Sequence, residues 1–350
     1  MTLSPTLETT LPELTAEQTP DGAFRRQRNW FSGRFGPAPG QFPVEPGRYA
    51  VFGSLGCGWA RRQRIILRLL GLEQAVRFVQ LSDRDEDGWL IAPDGADLVA
   101  RFGTRRLNDF YRGTDPNYQG RGTSPTVVDL ETGRVVSNNY HLLPQDWETA
   151  WAPYHRDGAP DLYPEHLRRE IDLLNQQLFD DVNNGTYKVL FATNPAAARV
   201  AHTVFAARLA DLEFRLTSRR YLFGDAVTDS DVRLFQTLSS YERAYRPGLA
   251  AVLGEGVVHV TDYPALWGYA RDLFAQGFAD PLEQYFLGLL PGPDGGYLAG
   301  KGFAPPGYLL PPPAEALAAW RQPSGREALT GSPYYSGPGG GGSAERWTFA

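Results

Sequence analysis

The spacing of apolar residues changes part-way along this chain. Before about residue 150, short β-rich runs alternate with helical stretches; from Leu162 onward only helical spacing remains. "RYAVFGS" (48–54) is a β-rich run stopped by glycine. After it Trp59, Ile65, Ile66, Leu69 and Leu70 recur at helical steps until Gly71 closes the segment. "AVRFVQL" (75–81) predicts a second strand, and "ADLVARFGTRRLNDFYRG" a helix interrupted at Gly103. "PTVVDLETGRVVSN" (125–138) has the pattern strand, turn, strand, with a short helix after Asn139 limited by Pro144.

In the second half Leu167, Ile171, Leu174 and Leu178 keep three- and four-residue steps before Gly185. "PAAARVAHTVFAARLADLEFRLTSRRYLFG" predicts a long helix ending near Gly224. "VTDSDVRLFQTLSSYERAY" opens another, with Thr228 at its N-cap, Asp231 three positions on, and Val227 and Val232 placed as a hydrophobic staple. A further helix is expected from about Ala265 to Phe274. Residues 1–24 read as a flexible arm and 24–46, rich in aromatics, Gly and Pro, as an extended segment laid over a domain. The last 60 residues hold 23 Gly or Pro, which predicts a mostly irregular tail in which "PPGYLLPPP" or the terminal "RWTFA" docks. The expected organisation is an arm and extended segment (1–44), an α/β domain (45–150), an all-α domain (151–290) and the tail (291–350).

Composition removes several function classes. A net charge of −6 argues against general nucleic-acid binding. No apolar run reaches 18 residues and the start lacks a basic-then-apolar leader, so a cytoplasmic protein without membrane attachment is expected. The five histidines (His141, His155, His166, His202, His259) show no metal-ligand spacing, and no metal is expected. Lysine occurs only at Lys188 and Lys301, so arginine supplies 32 of the 34 basic residues, a usage that suits a GC-rich genome.

The one cysteine, Cys57 in "GSLGCGWARR", excludes a disulfide scaffold. It falls where the first strand ends and a helix begins, facing unpaired N–H groups and the positive end of the helix dipole, which favour a thiolate. Arg61, Arg62 and Arg64 stand at the helix end where cations are unfavourable, an arrangement that makes sense if an anion is held there. Two readings of Cys57 stay open: a nucleophile, or a small buried hydrophobe.

The order β-α-β-α-β-β-α is that of a thioredoxin-like domain. With the cysteine and the helical second half, the chain resembles the glutathione transferases, most closely the glutathionyl-hydroquinone reductases (xi or omega-like class), over about residues 22–287. The resemblance rests on "DGAFRRQRNWF", on "CGWARR" against the family's "CPWAHR", on Gly88-Trp89 and on "DPNYQGRGTSPTVVD". It continues through "DLYPEHLRREIDLLNQQLFDDVNNGTYK", "RYLFGD…TDSDVRLFQTL" and "DYPALWGYARDLF".

That resemblance implies Cys57 as the catalytic cysteine, Trp89 as a thiol-site tryptophan and a cis-proline at Pro125. It also implies Ser124 as the residue whose backbone pairs with the cysteinyl part of glutathione, and Tyr187 and Tyr245 at the hydroquinone site; packing between helices is the alternative for the tyrosines. The implied partners are a small thiol and a quinone-like aromatic, with a possible homodimer.

Departures from the family pattern are specific. Gly58 replaces the motif's proline, and Arg61 or Arg62 its histidine. The γ-glutamyl motif "SNESSEI" is "SNNYHLL", which puts Asn139 and Tyr140 where a Glu and Ser are expected. An amide in place of that carboxylate removes a charge-assisted bond worth ~1.5–3 kcal/mol. The family's terminal tyrosine pair has no clear counterpart, Tyr285 being nearest. These departures leave open a different thiol such as mycothiol, or a fold kept for binding or assembly without catalysis.

Overall fold

The computed structural model describes residues 17–224, 226–291 and 302–329. Its first half is built on β1 (Tyr49–Gly53), whose five residues are all buried. Successive side chains of a strand point to opposite faces, and β1 divides accordingly. Tyr49 and Val51 enter one core with Ile65, Ile66, Trp147 and Trp151, while Ala50 and Phe52 enter another with Val79, Leu107, Phe110 and Tyr111. A strand covered on both faces in this way belongs at a sheet's centre. β1 pairs in parallel with β2 (Val76–Asp85) and antiparallel with β4 (Thr126–Asp129). With β3 (Gly88–Ile91) and β5 (Arg134–Ser137) the sheet order is β3-β2-β1-β4-β5.

The element order therefore differs from the expected one by an added strand. Gly88-Trp89, marked only as a motif, begins β3, which pairs antiparallel with β2. The predicted helix over 96–113 is two helices, α2 (Ala96–Phe102) and α3 (Leu107–Thr114), because Gly103 takes the left-handed conformation (φ 68°) and ends the first. Pro144 lies in the first turn of α4 (Leu143–Glu148), where a missing N–H costs nothing, so it starts that helix rather than limiting it. α1 (Gly58–Leu70) runs as predicted and stops at Gly71 (φ 75°, ψ 25°).

The second half is helical as expected. Its helices are α5 (Arg168–Gln177), α6 (Gly185–Leu190), α7 (Pro195–Leu216), α8 (Asp229–Ser240), α9 (Arg246–Leu253), α10 (Pro264–Leu273) and α11 (Pro281–Phe286). α7 ends eight residues before Gly224: buried Arg215 donates through Nε to the Leu222 carbonyl, folding the chain back. Two widened π-type turns follow α5 (Leu178–Asn183) and α8 (Tyr241–Tyr245). All twelve residues of α8 are buried, and α1 of the sheet half packs on it.

Both ends of the described chain are more ordered than predicted. Residues 17–24, read as part of a flexible arm, dock on the helical half through Thr193 N–H donating to the Gly22 carbonyl (2.9 Å) and the Phe24–Phe191 ring contact. Residues 24–46 are extended over the sheet half, with Phe35 packed among Tyr49, Trp147 and Trp151. In the tail, "PPGYLLPPP" leaves Tyr308 and Leu309 exposed. Arg243 holds this stretch at the Pro311 carbonyl (2.7 Å), and to either side dock Phe303 and Trp320, the latter at the end of α12 (Pro313–Trp320) with its indole 4.6 Å from that of Trp267. "RWTFA" lies outside the described residues. No helix among those residues is long and apolar enough to cross a membrane.

The capping box at α8 is present, and its acid does more than cap. Buried Asp231 accepts from Thr228 N–H (2.7 Å), Leu222 N–H (3.0 Å) and Tyr269 O–H (2.9 Å). Asp231→Ala leaves these buried donors without an acceptor, and a loss of about 3–5 kcal/mol is expected in urea unfolding.

Candidate active site

Cys57 sits at the N-cap of α1 in extended backbone (φ −92°, ψ 115°), just past β1. Its thiol donates to the Ser124 carbonyl (3.4 Å), and Ser124 Oγ accepts from the Ser54 N–H (3.0 Å). The loops before α1 and before β4 are thus tied together. The Ser124–Pro125 peptide is cis, as the family resemblance implies.

Cys57, Trp89, Ser124, Tyr187 and Tyr245 open on one cavity of about 520 Å³ between the two halves. Tyr187 and Tyr245 face each other with hydroxyls 3.1 Å apart. Burial raises the pKa of both, with the Cys57 charge adding to the effect at Tyr187 and Tyr187 itself at Tyr245, so both remain protonated and can donate. Each tyrosine follows closely on, or ends, one of the π-type turns, a feature frequent at functional sites. The Arg84 guanidinium stacks on Trp89 at 3.9 Å.

Asn139 and Tyr140 do not line this cavity. Both ends of the Asn139 amide are engaged: its oxygen accepts from Asn29 Nδ2 (3.2 Å) and the His141 N–H (3.1 Å), and its nitrogen donates to Ser32 Oγ (3.1 Å), Asn29 and Ser32 both lying on the extended segment. Tyr140 turns its ring onto Trp59, 4.7 Å between centroids. Tyr285 is also outside, in α11 against Phe286.

Of the arginines after Cys57, Arg61 and Arg64 bond across to the helical half and Arg62 within its own. Arg61 is fully buried and donates to the carbonyls of Leu55 (3.1 Å) and Gln236 (2.8 Å) and to Ser240 Oγ (2.5 Å). Burial lowers its pKa, with Tyr245, Glu283 and Cys57 opposing the shift. Arg62 donates to the Tyr140 carbonyl; burial and then Arg233 lower its pKa to about 9. Arg64 pairs with Asp280 (2.8 Å) and Glu283 (2.9 Å).

Several lining residues had no role in the sequence reading. Arg26 lies over Tyr187 (4.3 Å) and Trp59 (4.9 Å) and donates through Nε to Asn184 Oδ1 (2.9 Å). Its Nη2 is buried with no hydrogen-bond partner among the described residues. Phe24, Arg121, Phe191 and Phe303 complete the wall. The motifs "DGAFRRQRNWF" and "DPNYQGRGTSPTVVD" contain Phe24, Arg26 and Arg121 without giving them a role; nothing local marked Phe191 or Phe303.

No profile of a known protein family matches the chain. Individual relatives do. The glutathionyl-hydroquinone reductase YqjG of Escherichia coli is 33% identical over 273 residues, 72% of this chain and 79% of that protein. Glutathionyl-hydroquinone reductase PcpF of Sphingobium chlorophenolicum is 32% identical over 250 residues, 70% of this chain and 76% of that protein. The chain belongs to the glutathionyl-hydroquinone reductase family of glutathione transferases. Among solved structures, a glutathione transferase from Gordonia bronchialis shares 35% identity with a TM-score of 0.69, covering 84% of this chain and 88% of that one. The glutathione-bound structure of E. coli YqjG gives 28% identity and a TM-score of 0.68, covering 88% and 98%. The family is one of enzymes, and the two-part architecture, thioredoxin-like then helical, is its fold.

Within this family the proline-to-glycine departure has a visible cause. A Cβ on Gly58 would stand 2.5 Å from Gln236 Nε2 and 2.8 Å from its Cδ, so the Gln236 side chain fills the room a ring would take. Gly58→Ala is expected to cost about 1–3 kcal/mol. Adding Gln236→Ala should recover it, so a double-mutant cycle in urea should show coupling above ~1 kcal/mol.

His141 supplies a pH test. Burial, then Arg62, Arg233 and Arg26, lower its pKa to about 3. Below pH 6.5 the unfolded chain binds a proton that the folded protein refuses, so stability falls as pH drops from 6.5 toward 3. His141→Gln removes this loss: between pH 7 and pH 5 wild type should lose about 1–2 kcal/mol more than the variant in urea titrations.

Proposed function

We propose that this protein is a thiol-dependent reductase of glutathionyl-hydroquinones with Cys57 as nucleophile. The observation that carries this reading is a single cavity holding the Cys57 thiol at a helix N-terminus beside two protonated, facing tyrosines. The thiol and the quinol are both substrates in this scheme.

The Cys57 thiolate attacks the sulfur of the thioether. An S–S bond forms, the carbon–sulfur bond breaks, and its electron pair goes to the ring carbon, which takes a proton and leaves as the hydroquinone. A second small thiol then attacks the mixed disulfide, releasing a small disulfide and the Cys57 thiolate. The chain has one cysteine, so the resolving thiol comes from outside. In this scheme Tyr187 and Tyr245 donate to the quinol oxygens, while Trp89 and the Ser124 backbone flank the thiol half. Pro125 shapes the loop beneath.

The choice of thiol follows from charge. Arg26, Arg61, Arg84 and Arg121 line the cavity against one carboxylate, Glu17, which is itself paired with Arg121. A lining of this sign suits glutathione, with its two carboxylates, better than uncharged mycothiol. One observation favours the second: the γ-glutamyl positions, Asn139 and Tyr140, are turned elsewhere. We place the protein in the cytoplasm and keep the homodimer as the family's expected assembly.

The test is intact-mass analysis after incubation with the disulfides of glutathione, mycothiol and coenzyme A. A glutathione adduct on wild type, absent in Cys57→Ser, is expected. The same Cys57→Ser change should lower turnover of a glutathionyl-hydroquinone at least about 10³-fold. A mycothiol adduct alone would transfer the reading to that thiol; no adduct with any partner would end it.

A further inference from the structure

Tyr285, the nearest sequence counterpart of the family's terminal tyrosine pair, is not at the cavity. The wall position beside Tyr187 and Tyr245 is held by Phe303, from the Gly- and Pro-rich tail. Its ring stacks on Tyr245 at 5.6 Å with planes 19° apart, and meets Tyr187 (5.9 Å) and Phe191 (5.7 Å) edge-on. Its N–H donates to the Ala244 carbonyl (2.9 Å). The helical half is shaped to receive it: a Cβ on Gly248 would lie 2.6 Å from both Phe303 Cβ and its carbonyl oxygen.

The segment is fixed from a distance. Trp320 packs on Trp267 (4.6 Å) and Phe274 (5.2 Å). Arg326 donates through Nη2 to the carbonyls of Leu216 (2.9 Å) and Arg220 (3.2 Å), and Arg243 donates to the Pro311 carbonyl (2.7 Å). Trp59 and the Arg26 guanidinium line the same cavity, both against Tyr187.

We propose that Phe303 is a specificity-determining residue of the acceptor site, presenting its ring to a planar aromatic quinol and kept in place by the Trp320 and Arg326 anchor. This rests on the reductase reading for its substrate class. The polar contacts of a quinol come from Tyr187 and Tyr245; the stacking face comes from the tail. Ring contacts of this kind favour flat fused-ring quinols over aliphatic or bulky non-planar acceptors.

The experiment uses the full chain carrying Cys57→Ser, which leaves no thiol for a quinone to alkylate, and 2-methyl-1,4-naphthoquinone as probe in isothermal titration. Adding Phe303→Ala should weaken binding about tenfold, and Phe303→Leu nearly as much, because volume returns without a ring face. Phe303→Tyr should bind within about twofold of the parent, and Trp320→Ala should weaken binding in the same direction as Phe303→Ala. Thermal melts establish that each variant is folded. Equal binding by the Leu variant and the parent, or no probe binding by the parent, overturns the proposal. So does a loss in Phe303→Tyr as large as that in Phe303→Ala. The disulfide-adduct assay on wild type is independent of these titrations. No Cys57 adduct with Phe303-dependent probe binding would remove the reductase reading and leave the aromatic wall.

Discussion

One buried guanidinium, a helical turn beyond Cys57, joins the two halves of this molecule. Arg61 leaves the first turn of α1 and donates through both terminal nitrogens to a carbonyl from the loop before Cys57 and to carbonyl and hydroxyl oxygens of α8, while its Nε is buried without a partner among the described residues. Removing a charge from water costs less the more of its donors are matched, and the planar fork of arginine meets several oxygens at once, which a lysine ammonium does not. Further along α1, Arg64 and Arg68 grip Glu283 of the helical half, while Arg62 reaches the Tyr140 carbonyl within its own half. Of the positive charges that look misplaced against a helix dipole, Arg61, Arg64 and Arg68 are therefore fasteners between halves.

The residues legible in the sequence were those whose structure is local. β1 and α1 followed from period and from Gly71; the box at Thr228 and Asp231 followed from a three-residue spacing. The positions of Cys57, Trp89, Ser124, Tyr187 and Tyr245 came through resemblance, and the structure gathers them at one cavity. What was not legible depends on partners distant in sequence. β3 is four residues long and takes its order from β2. Arg26 lines the site because residues 17–24 dock on the helical half, and Phe303 because Trp320 and Arg326 hold the tail down. The π-type turns that aim the tyrosines have no sequence period of their own.

The altered γ-glutamyl motif shows how one substitution changes allegiance. An amide offers a donor and an acceptor where a carboxylate offers acceptors only, and Asn139 spends both on Asn29 and Ser32. The extended segment is secured by the residue that, by the family pattern, would meet the cosubstrate. Gly58 and Gln236 form a similar pair: one gives up volume that the other occupies.

Two segments far apart in the sequence, residues 17–26 and 302–303, meet at the same cavity. During synthesis Cys57 and the sheet around it emerge early, but one wall of their pocket is nearly 250 residues further along the message. Domains fold in the order in which they leave the ribosome, so the sheet around Cys57 is made long before Phe303. A ribosome that stops after α11 releases a polypeptide with Cys57 in place and the Phe303 face of the cavity missing. The cavity is thus walled by residues made at widely separated times.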